Sequence, residues 1–254
     1  MIKPYYQEDG ITLYNARCED VLSELRGVNL IVTSPPYNLG IEYDSYEDVM
    51  GWTDYYAWCA NWLTQLYGTL SLDGRMCLNH YLSFGNSEER QAPLMEINSI
   101  CTDVGFKHHG LAIWYDITLT KRTAWGSWLS ASAPYINSPF EGILIFYKER
   151  WKRLYRGTTQ ITEKEFMEGC GGVWKIQPER NSAHPAPYPV KLAERCILLL
   201  SFEGDIVLDP FVGSGTTLLA AKKWGRKAIG IEISKKYCDI AIDKLRQVEM
   251  QFNS

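Results

Sequence analysis

The segment Ile206-Val207-Leu208-Asp209-Pro210-Phe211-Val212-Gly213-Ser214-Gly215-Thr216-Thr217 runs from an apolar stretch through two glycines into the start of a helix. A strand, a tight turn and a helix in this order commit a chain to a layered α/β arrangement. The pattern recurs. Val28–Thr33 is continuously apolar apart from Asn29 and reads as a buried, parallel-type strand that stops at Ser34-Pro35-Pro36. Two consecutive prolines cannot continue a central strand, so the chain leaves the sheet there. Further strands are expected at Ile11–Tyr14, Arg75–Asn79, His108–Tyr115, Ile143–Tyr147 and Lys227–Ile231. Helices are expected at Cys18–Leu25, Gly51–Leu70, Glu88–Val104, Tyr188–Leu200, Thr216–Trp224 and Ser234–Gln251, with Ser234 as an N-cap and Pro93 limiting the start of its helix. Alternating strands and helices predict a mainly parallel sheet covered on both faces. Asp116–Phe140 and Lys148–Pro187 have no period of either kind and read as inserted segments.

At 254 residues, 46% of them hydrophobic, the chain suits one large α/β domain with an inserted lobe, or at most two small domains. The net charge of −4 weighs mildly against a nucleic-acid binder but leaves room for a local basic face. Seven cysteines form no C-x-x-C pair and no zinc-ligand spacing with histidine. That usage predicts a reducing, cytoplasmic setting and no structural metal. Met1–Gly10 lacks the apolar core of a signal peptide, and no apolar run is long enough to cross a bilayer, so no membrane partner is expected.

Three ligands compete for the glycine turn. A P-loop needs Gly-Lys-Ser/Thr, and Thr216 follows Gly215 directly. A dinucleotide fingerprint needs a third small residue where Leu218 stands. A smaller nucleoside-type ligand carrying a carboxylate remains, and Ile229-Gly230-Ile231-Glu232 then matters. It ends the next strand about 20 residues on, which places Glu232 to accept hydrogen bonds from ribose hydroxyls. Taken alone, Gly213 and Gly215 also suit any tight β–α turn.

Thr33-Ser34-Pro35-Pro36-Tyr37-Asn38 follows a buried strand, where α/β sheets bind ligands. Prolines carry no N–H, so nearby carbonyls have few internal donors and stay available to an amino group. Ser34 adds a hydroxyl acceptor and Tyr37 an aromatic face on which a base can stack. Such acceptors would draw an exocyclic amino nitrogen towards tetrahedral geometry and aim its lone pair at a methyl donor. No cysteine occupies the loop, which argues against a covalent route to carbon methylation. The alternative is a rigid turn that merely ends a strand.

Together, Ser34-Pro35-Pro36-Tyr37 and Asp209 to Thr217 resemble the cytosine-N4 and adenine-N6 amino-methyltransferases of DNA, and the order of the two motifs resembles the permuted β class of that family. The likeness runs from about Leu13 to Leu245 and is weakest between Asp116 and Ala183. It implies a class I, Rossmann-like fold of seven mostly parallel strands flanked by helices, with one antiparallel strand. It also implies S-adenosylmethionine (SAM) as cofactor and double-stranded DNA as substrate, with the target base flipped out of the duplex. On this likeness Ser34, Pro35, Pro36 and Tyr37 would hold the base. Phe211, Gly213, Ser214, Gly215 and Thr216 would line the methionine end of the cofactor, beside Asp209. Glu232 would bind the ribose and Asp20 the adenine amino group, while His184–Leu192 resembles the segment that enters the cofactor pocket. Residues 1–115 and 184–254 would form the catalytic and SAM-binding domain. Residues 116–183 would form a target-recognition region, with one strand near 142–147 returning to the core sheet.

Serine at the head of the tetrapeptide favours cytosine N4 over adenine N6, although Asn38 is shared with many adenine enzymes. The basic runs Lys121-Arg122 and Arg150 to Arg153, rich in neighbouring aromatics, are expected to meet phosphates through Lys121, Arg122, Arg150, Lys152 and Arg153, the alternative being a solvated face. Ser138-Pro139-Phe140-Glu141 is expected to border the base pocket. Candidate partners are a cognate restriction endonuclease and a second copy of the chain. Two alternatives stay open: a catalytically idle DNA-binding subunit, which the intact tetrapeptide opposes, and methylation of RNA or protein glutamine, whose enzymes place the cofactor loop first.

Overall fold

The computed structural model describes residues 2–41, 44, 48–85, 90–116, 127, 129–136, 140–179 and 188–252, the side chains of 248–252 excepted. In it Val28–Thr33 forms β3 and Ile206–Asp209 forms β10, parallel neighbours paired at Val207–Leu30 and Leu208–Ile31. The strands β1 (Tyr6–Glu8), β2 (Ile11–Asn15), β4 (Leu70–Tyr81), β7 (Lys107–Tyr115), β8 (Glu141–Tyr147), β9 (Val173–Lys175) and β11 (Lys227–Glu232) complete a nine-stranded sheet. Its order is β1-β2-β11-β10-β3-β4-β8-β7-β9. The two-residue strands β5 (Phe84–Gly85) and β6 (Arg90–Gln91) form a separate hairpin.

The strands β2, β11, β10, β3 and β4 run parallel, which brings their C-terminal tips to one end of the sheet. β8 runs antiparallel to both its neighbours, β4 and β7, so its first residue, Glu141, lies at that same end and Tyr147 at the opposite one. The expected seven strands become nine through two additional edge strands. β1 joins β2 through Asp9 and Gly10, both at positive φ, the geometry of a tight antiparallel hairpin. β9 adds to β7 at the far edge.

Helices cover both faces, as strands apolar on both sides require. On one face α5 (Val190–Leu200), α6 (Thr216–Lys223) and α7 (Lys235–Phe252) pack Ile197, Leu218 and Ala241 against Leu30, Val32 and Val207. On the other, α1 (Cys18–Leu22), α2 (Trp52–Thr69) and α3 (Pro93–Val104) pack Leu22, Trp62 and Ile97 against Ile31, Leu78 and Leu208. α3 begins five residues later than the expected Glu88, because proline suits the first helical turn and disfavours helix before it.

The stretch 116–183, expected as an inserted region, also builds part of the core. Besides β8, it supplies α4 (Glu163–Cys170), opened by a Thr162–Glu165 capping box, and β9, whose Trp174 is fully buried in the first core. The Trp174 indole donates to the Gly169 carbonyl at 2.8 Å, and Trp114 donates to Ile176 at 2.9 Å, which fixes both elements to the sheet. No helix among the described residues is long and apolar enough to cross a membrane.

Candidate active site

The tips of β3 and β10 are tied directly. The Thr33 hydroxyl donates to Asp209 Oδ1 at 2.9 Å in a fully buried contact. Asp209 also accepts from the Phe211 N–H at 3.1 Å and the Thr217 hydroxyl at 2.5 Å, with Tyr188 at 3.3 Å. Burial pushes its carboxyl up to about 6 against these donors. One carboxylate therefore holds the start of the Ser34 loop, the glycine turn, α6 and the entry to α5 in register.

The Ser34 loop is fixed by its own carboxylate. Buried Asp48 accepts from the backbone N–H groups of Asn38 (2.8 Å), Leu39 (2.9 Å) and Ile41 (3.3 Å). Asn38 takes a left-handed conformation, φ 60°, and its amide exchanges two hydrogen bonds with the Met50 backbone. Asparagine is one of the few residues that accept this backbone, so Asn38 has a structural use independent of base identity.

Inside the loop the four tetrapeptide residues line one cleft. Tyr37 is turned inward, 7% exposed, with its ring 4.4 Å from His80 and edge-on to Tyr81 at 5.2 Å. Its hydroxyl donates to Glu141 Oε2 at 2.7 Å and lies 2.6 Å from Ser34 Oγ. Asn79 Nδ2 donates both to that hydroxyl (2.7 Å) and to Glu141 (2.6 Å). With the Tyr37 proton on the bond to Glu141, Ser34 is the donor to Tyr37. Burial, and after it the Glu141 charge, pushes the Tyr37 phenol well up, so it stays protonated. Burial also raises the Glu141 carboxyl.

The Pro36 carbonyl, expected to stay available to a substrate amino group, is already taken: Tyr55 from α2 donates to it at 2.7 Å. The Tyr55 hydroxyl lies 2.9 Å from His80 Nε2. Burial lowers His80 to about 3, so it is neutral, and with the Tyr55 proton on Pro36 the His80 Nε2–H is the donor.

The same cleft, about 1030 Å³ counting the space open at its mouth, extends past Phe211, Gly213, Ser214 and Thr216 to Glu232 at the tip of β11. Phe211 is wedged between Trp58 (5.5 Å) and Trp62 (5.1 Å) of α2. Glu232 accepts the Gly213 N–H at 2.9 Å on one oxygen and the Ser234 N–H at 2.8 Å on the other. Each oxygen keeps a lone pair for a further donor. Gly213 has φ 50° and Gly215 φ 87°. A Cβ at Gly215 would come within 2.7 Å of Ala241 Cβ, so this glycine serves the approach of α7 and does not line the cleft. Lys244 of α7 donates to Ser214 at 2.9 Å.

Asp20 is displaced by one residue from its expected place. It is exposed, and the residues of α1 that face the cleft are Cys18 and its neighbour Glu19, whose carboxylate accepts from the Trp58 indole at 2.7 Å. Successive helical residues are turned about 100° from one another, and Asp20, one step beyond Glu19, is turned away from the cleft into solvent. Within His184–Leu192, residues 184–187 lie outside the described residues, and Tyr188 lines the cleft.

The basic run after β8 lies towards the end of the sheet opposite the cleft. Arg150 and Lys152 are exposed but follow Tyr147, six strand positions and roughly 20 Å from the Glu141 end. Arg153 is not a surface cation. Its guanidinium, 5% exposed, pairs with Asp205 at 2.9 Å and Asp73 at 3.1 Å. Lys121 and Arg122 lie outside the described residues. Sequence reasoning assigns no role to Asn79, Tyr55, His80 or Asp48, which lack any local motif. Glu141 carries a partial signal, because its segment leads back into a strand.

An apolar cleft with a strand-tip carboxylate, a glycine turn and a proline-fixed acceptor loop, on a mostly parallel sheet with one reversed inner strand, defines a class I SAM-dependent methyltransferase. The acceptors suit SAM chemically: Glu232 offers lone pairs to hydroxyls, and the aromatic wall at Phe211 suits a sulfonium. The family model described as DNA methylase, N6_N4_Mtase, matches residues 28–243. The chain is 40% identical over 179 residues to the type II methyltransferase M.MjaVI of Methanocaldococcus jannaschii, covering 70% of this chain and 92% of that one. It is 30% identical over 264 residues to the type II methyltransferase M.ScaI of Streptomyces caespitosus, covering 96% and 84%. Among solved structures it is similar to TTHA0409 of Thermus thermophilus, described as a DNA modification methylase and complexed with S-adenosyl-L-methionine (TM-score 0.72, 27% identity, 92% and 93% coverage). The fold is also that of the cytosine-N4-specific PvuII DNA methyltransferase (TM-score 0.74, 19% identity, 95% and 88% coverage). The chain belongs to the N4/N6 DNA amino-methyltransferase family, and SAM is its cofactor.

Proposed function

We propose that the protein transfers the SAM methyl group to the exocyclic amino nitrogen of a flipped base in double-stranded DNA, with cytosine N4 the favoured target and adenine N6 the alternative. The observation that carries the proposal is the shared cleft. The tetrapeptide at the tip of β3 and the glycine turn after β10 line one cavity and are joined by the Thr33–Asp209 hydrogen bond. Methyl donor and acceptor can meet there. Serine at position 34 supports cytosine, since within the family Ser-Pro-Pro-Tyr is commoner among cytosine-N4 enzymes and Asp-Pro-Pro-Tyr among adenine-N6 enzymes.

In this reading Ser34 Oγ and the Pro35 carbonyl receive the two amino hydrogens, and Pro36 and Tyr37 hold the loop in shape. Glu232 holds the ribose hydroxyls, with Glu19 rather than Asp20 on the adenine side. Gly213, Ser214 and Thr216 flank the methionine end beside Phe211, and Asp209 keeps the wall in place. A cognate restriction endonuclease and a second copy of the chain remain proposed partners, to be tested by restriction protection in cells and by sedimentation.

The deciding experiment is transfer of tritium from labelled SAM to DNA, followed by digestion to nucleosides. N4-methylcytosine is expected. N6-methyladenine would move the assignment to the alternative, and no transfer to DNA of any sequence would refute the proposal. Tyr37→Ala should lower transfer by at least about tenfold more than it weakens SAM binding, since it breaks the Ser34–Tyr37–Glu141 chain.

A further inference from the structure

Methylation of an amino group leaves a proton to be removed, and the cleft contains a route for it. Ser34 Oγ lies 2.6 Å from the Tyr37 hydroxyl, and that hydroxyl donates to Glu141 Oε2 at 2.7 Å. Ser34 and Tyr37 line the cleft, whereas Glu141 is not part of its lining and stands behind Tyr37. The path draws on two segments, the loop after β3 and the first residue of β8, which register places opposite Tyr81 of β4 and Trp114 of β7. Asn79 of β4 bonds both the Tyr37 hydroxyl and Glu141, which fixes the direction of the chain.

We infer that Glu141 is the proton sink of the methyl-transfer step and acts through the relay Ser34–Tyr37–Glu141. The inference rests on the reading of the cleft as the site of amino-group methylation. The amino nitrogen forms its bond to the methyl carbon while the carbon–sulfur bond breaks and its electron pair stays on sulfur, so the nitrogen carries one proton too many. That proton passes to Ser34 Oγ, the Ser34 proton to Tyr37 Oη, and the Tyr37 proton to Glu141 Oε2. Tyr37 and Ser34 end neutral, the methylated base is neutral, and Glu141 ends as a carboxylic acid. The positive charge brought by the sulfonium and the negative charge of Glu141 cancel, so no net charge is left in the buried site. Glu141 is not part of the cleft lining, so it acts through Tyr37 as a positioning residue that also stores the proton.

Among the described residues, the groups facing Glu141 are the Tyr37 phenol, the neutral Asn79 amide and the Asp116 carboxylate just beyond β7. Burial, with a smaller contribution from Asp116, raises the Glu141 carboxyl, while Tyr37 and Asn79 oppose the rise. A carboxylate so placed takes up a proton more readily than one in water.

Glu141→Gln keeps the size and an acceptor for Tyr37 but cannot take the proton. Single-turnover methyl transfer is expected to fall about 100-fold or more, the usual lower range for loss of an acid–base group, with the SAM dissociation constant unchanged within about twofold. The wild-type rate should drop as pH falls through the Glu141 titration, and that limb should vanish in the variant. Tyr37→Phe keeps the ring and cuts the relay, so it should show the same loss, and the double variant should lose no more than either alone. Without DNA or SAM, the infrared carboxylic-acid band that grows on acidification should lose one component in Glu141→Gln, the one that appears above the ordinary carboxylate range. If Glu141→Gln transfers methyl at within about threefold of wild type, or keeps the acid limb, the relay is overturned. Equal loss of SAM binding and rate in both variants also overturns it in favour of a structural role. A wild-type protein that transfers no methyl to DNA would refute the parent reading instead, while the infrared titration still reports on Glu141.

Discussion

Arg153→Ala separates two opposed accounts of the chain after β8. In one, Arg153 meets a DNA phosphate. In the other it locks the far end of the sheet. The structure supports the lock: Arg153, Asp73 and Asp205 are all at most 5% exposed, with contacts of 3.1 and 2.9 Å. Although burial opposes it, the Asp205 carboxylate holds the guanidinium above its ordinary range, so the pair is ionised. Removing one partner of a buried ion pair typically costs about 3–5 kcal/mol, because a charge is left uncompensated. Here the lower end applies. Asp205 would keep the Phe202 N–H at 2.8 Å and the Tyr155 hydroxyl, and Asp73 would keep the Leu154 N–H at 2.7 Å. A loss of about 3 kcal/mol in a domain of this size lowers Tm by roughly 6–12 °C. The assay is urea and thermal unfolding of wild type and variant without ligand, paired with DNA binding at several salt concentrations. Stability should fall and the salt slope of DNA binding should not change. The difference in stability should shrink in acid. Despite partial burial, the Leu154 N–H and Arg153 hold the Asp73 carboxyl below its ordinary value, so its contribution is present above the unfolded carboxylate range and lost as pH falls through the folded one. Stability within about 0.5 kcal/mol of wild type, with a salt slope reduced by about one, would refute the lock and restore the phosphate contact.

Glu232→Ala removes a carboxylate that receives two backbone N–H groups and faces the cleft. Hydrogen bonds to charged groups are worth about 1.5–3 kcal/mol, so calorimetry should show SAM binding weakened by about 10–100-fold, and a change under twofold would contradict the ribose role. Asp209 is raised from 3.8 to about 6 by burial. A raised carboxyl favours the folded state at low pH, and that contribution is lost as pH rises through about 6, to a limit of about 3 kcal/mol. Melts of Asp209→Asn should lack this pH-dependent decline between about pH 4 and 8, and a parallel decline in both proteins would exclude Asp209 as its source.

What can be read from the chain alone follows from how local each cause is. Val28–Thr33 and Ile206–Asp209 have legible bounds because a strand buried on both faces is an apolar run with sharp ends. β1 escapes such a reading because Tyr6–Glu8 lies at an edge and buries little, and β9 because a three-residue strand with only Trp174 inward carries no period. The two loops that form the cleft are legible because each is one contiguous motif. The Glu141–Asn79–Tyr37 cluster is not, since its members lie 42, 62 and 104 residues apart. Arg153 misleads for the same reason: its two carboxylates are 80 and 52 residues away, and a basic run looks identical whether its members face water or one another.

The reversed strand β8 also governs how such a protein can diversify. Because β7 ends and β8 begins at the cleft end of the sheet, with Trp114 opposite Glu141, the excursion between them leaves and re-enters the sheet at nearly one point. Its length and composition can drift while both anchor points stay zipped into the ladder.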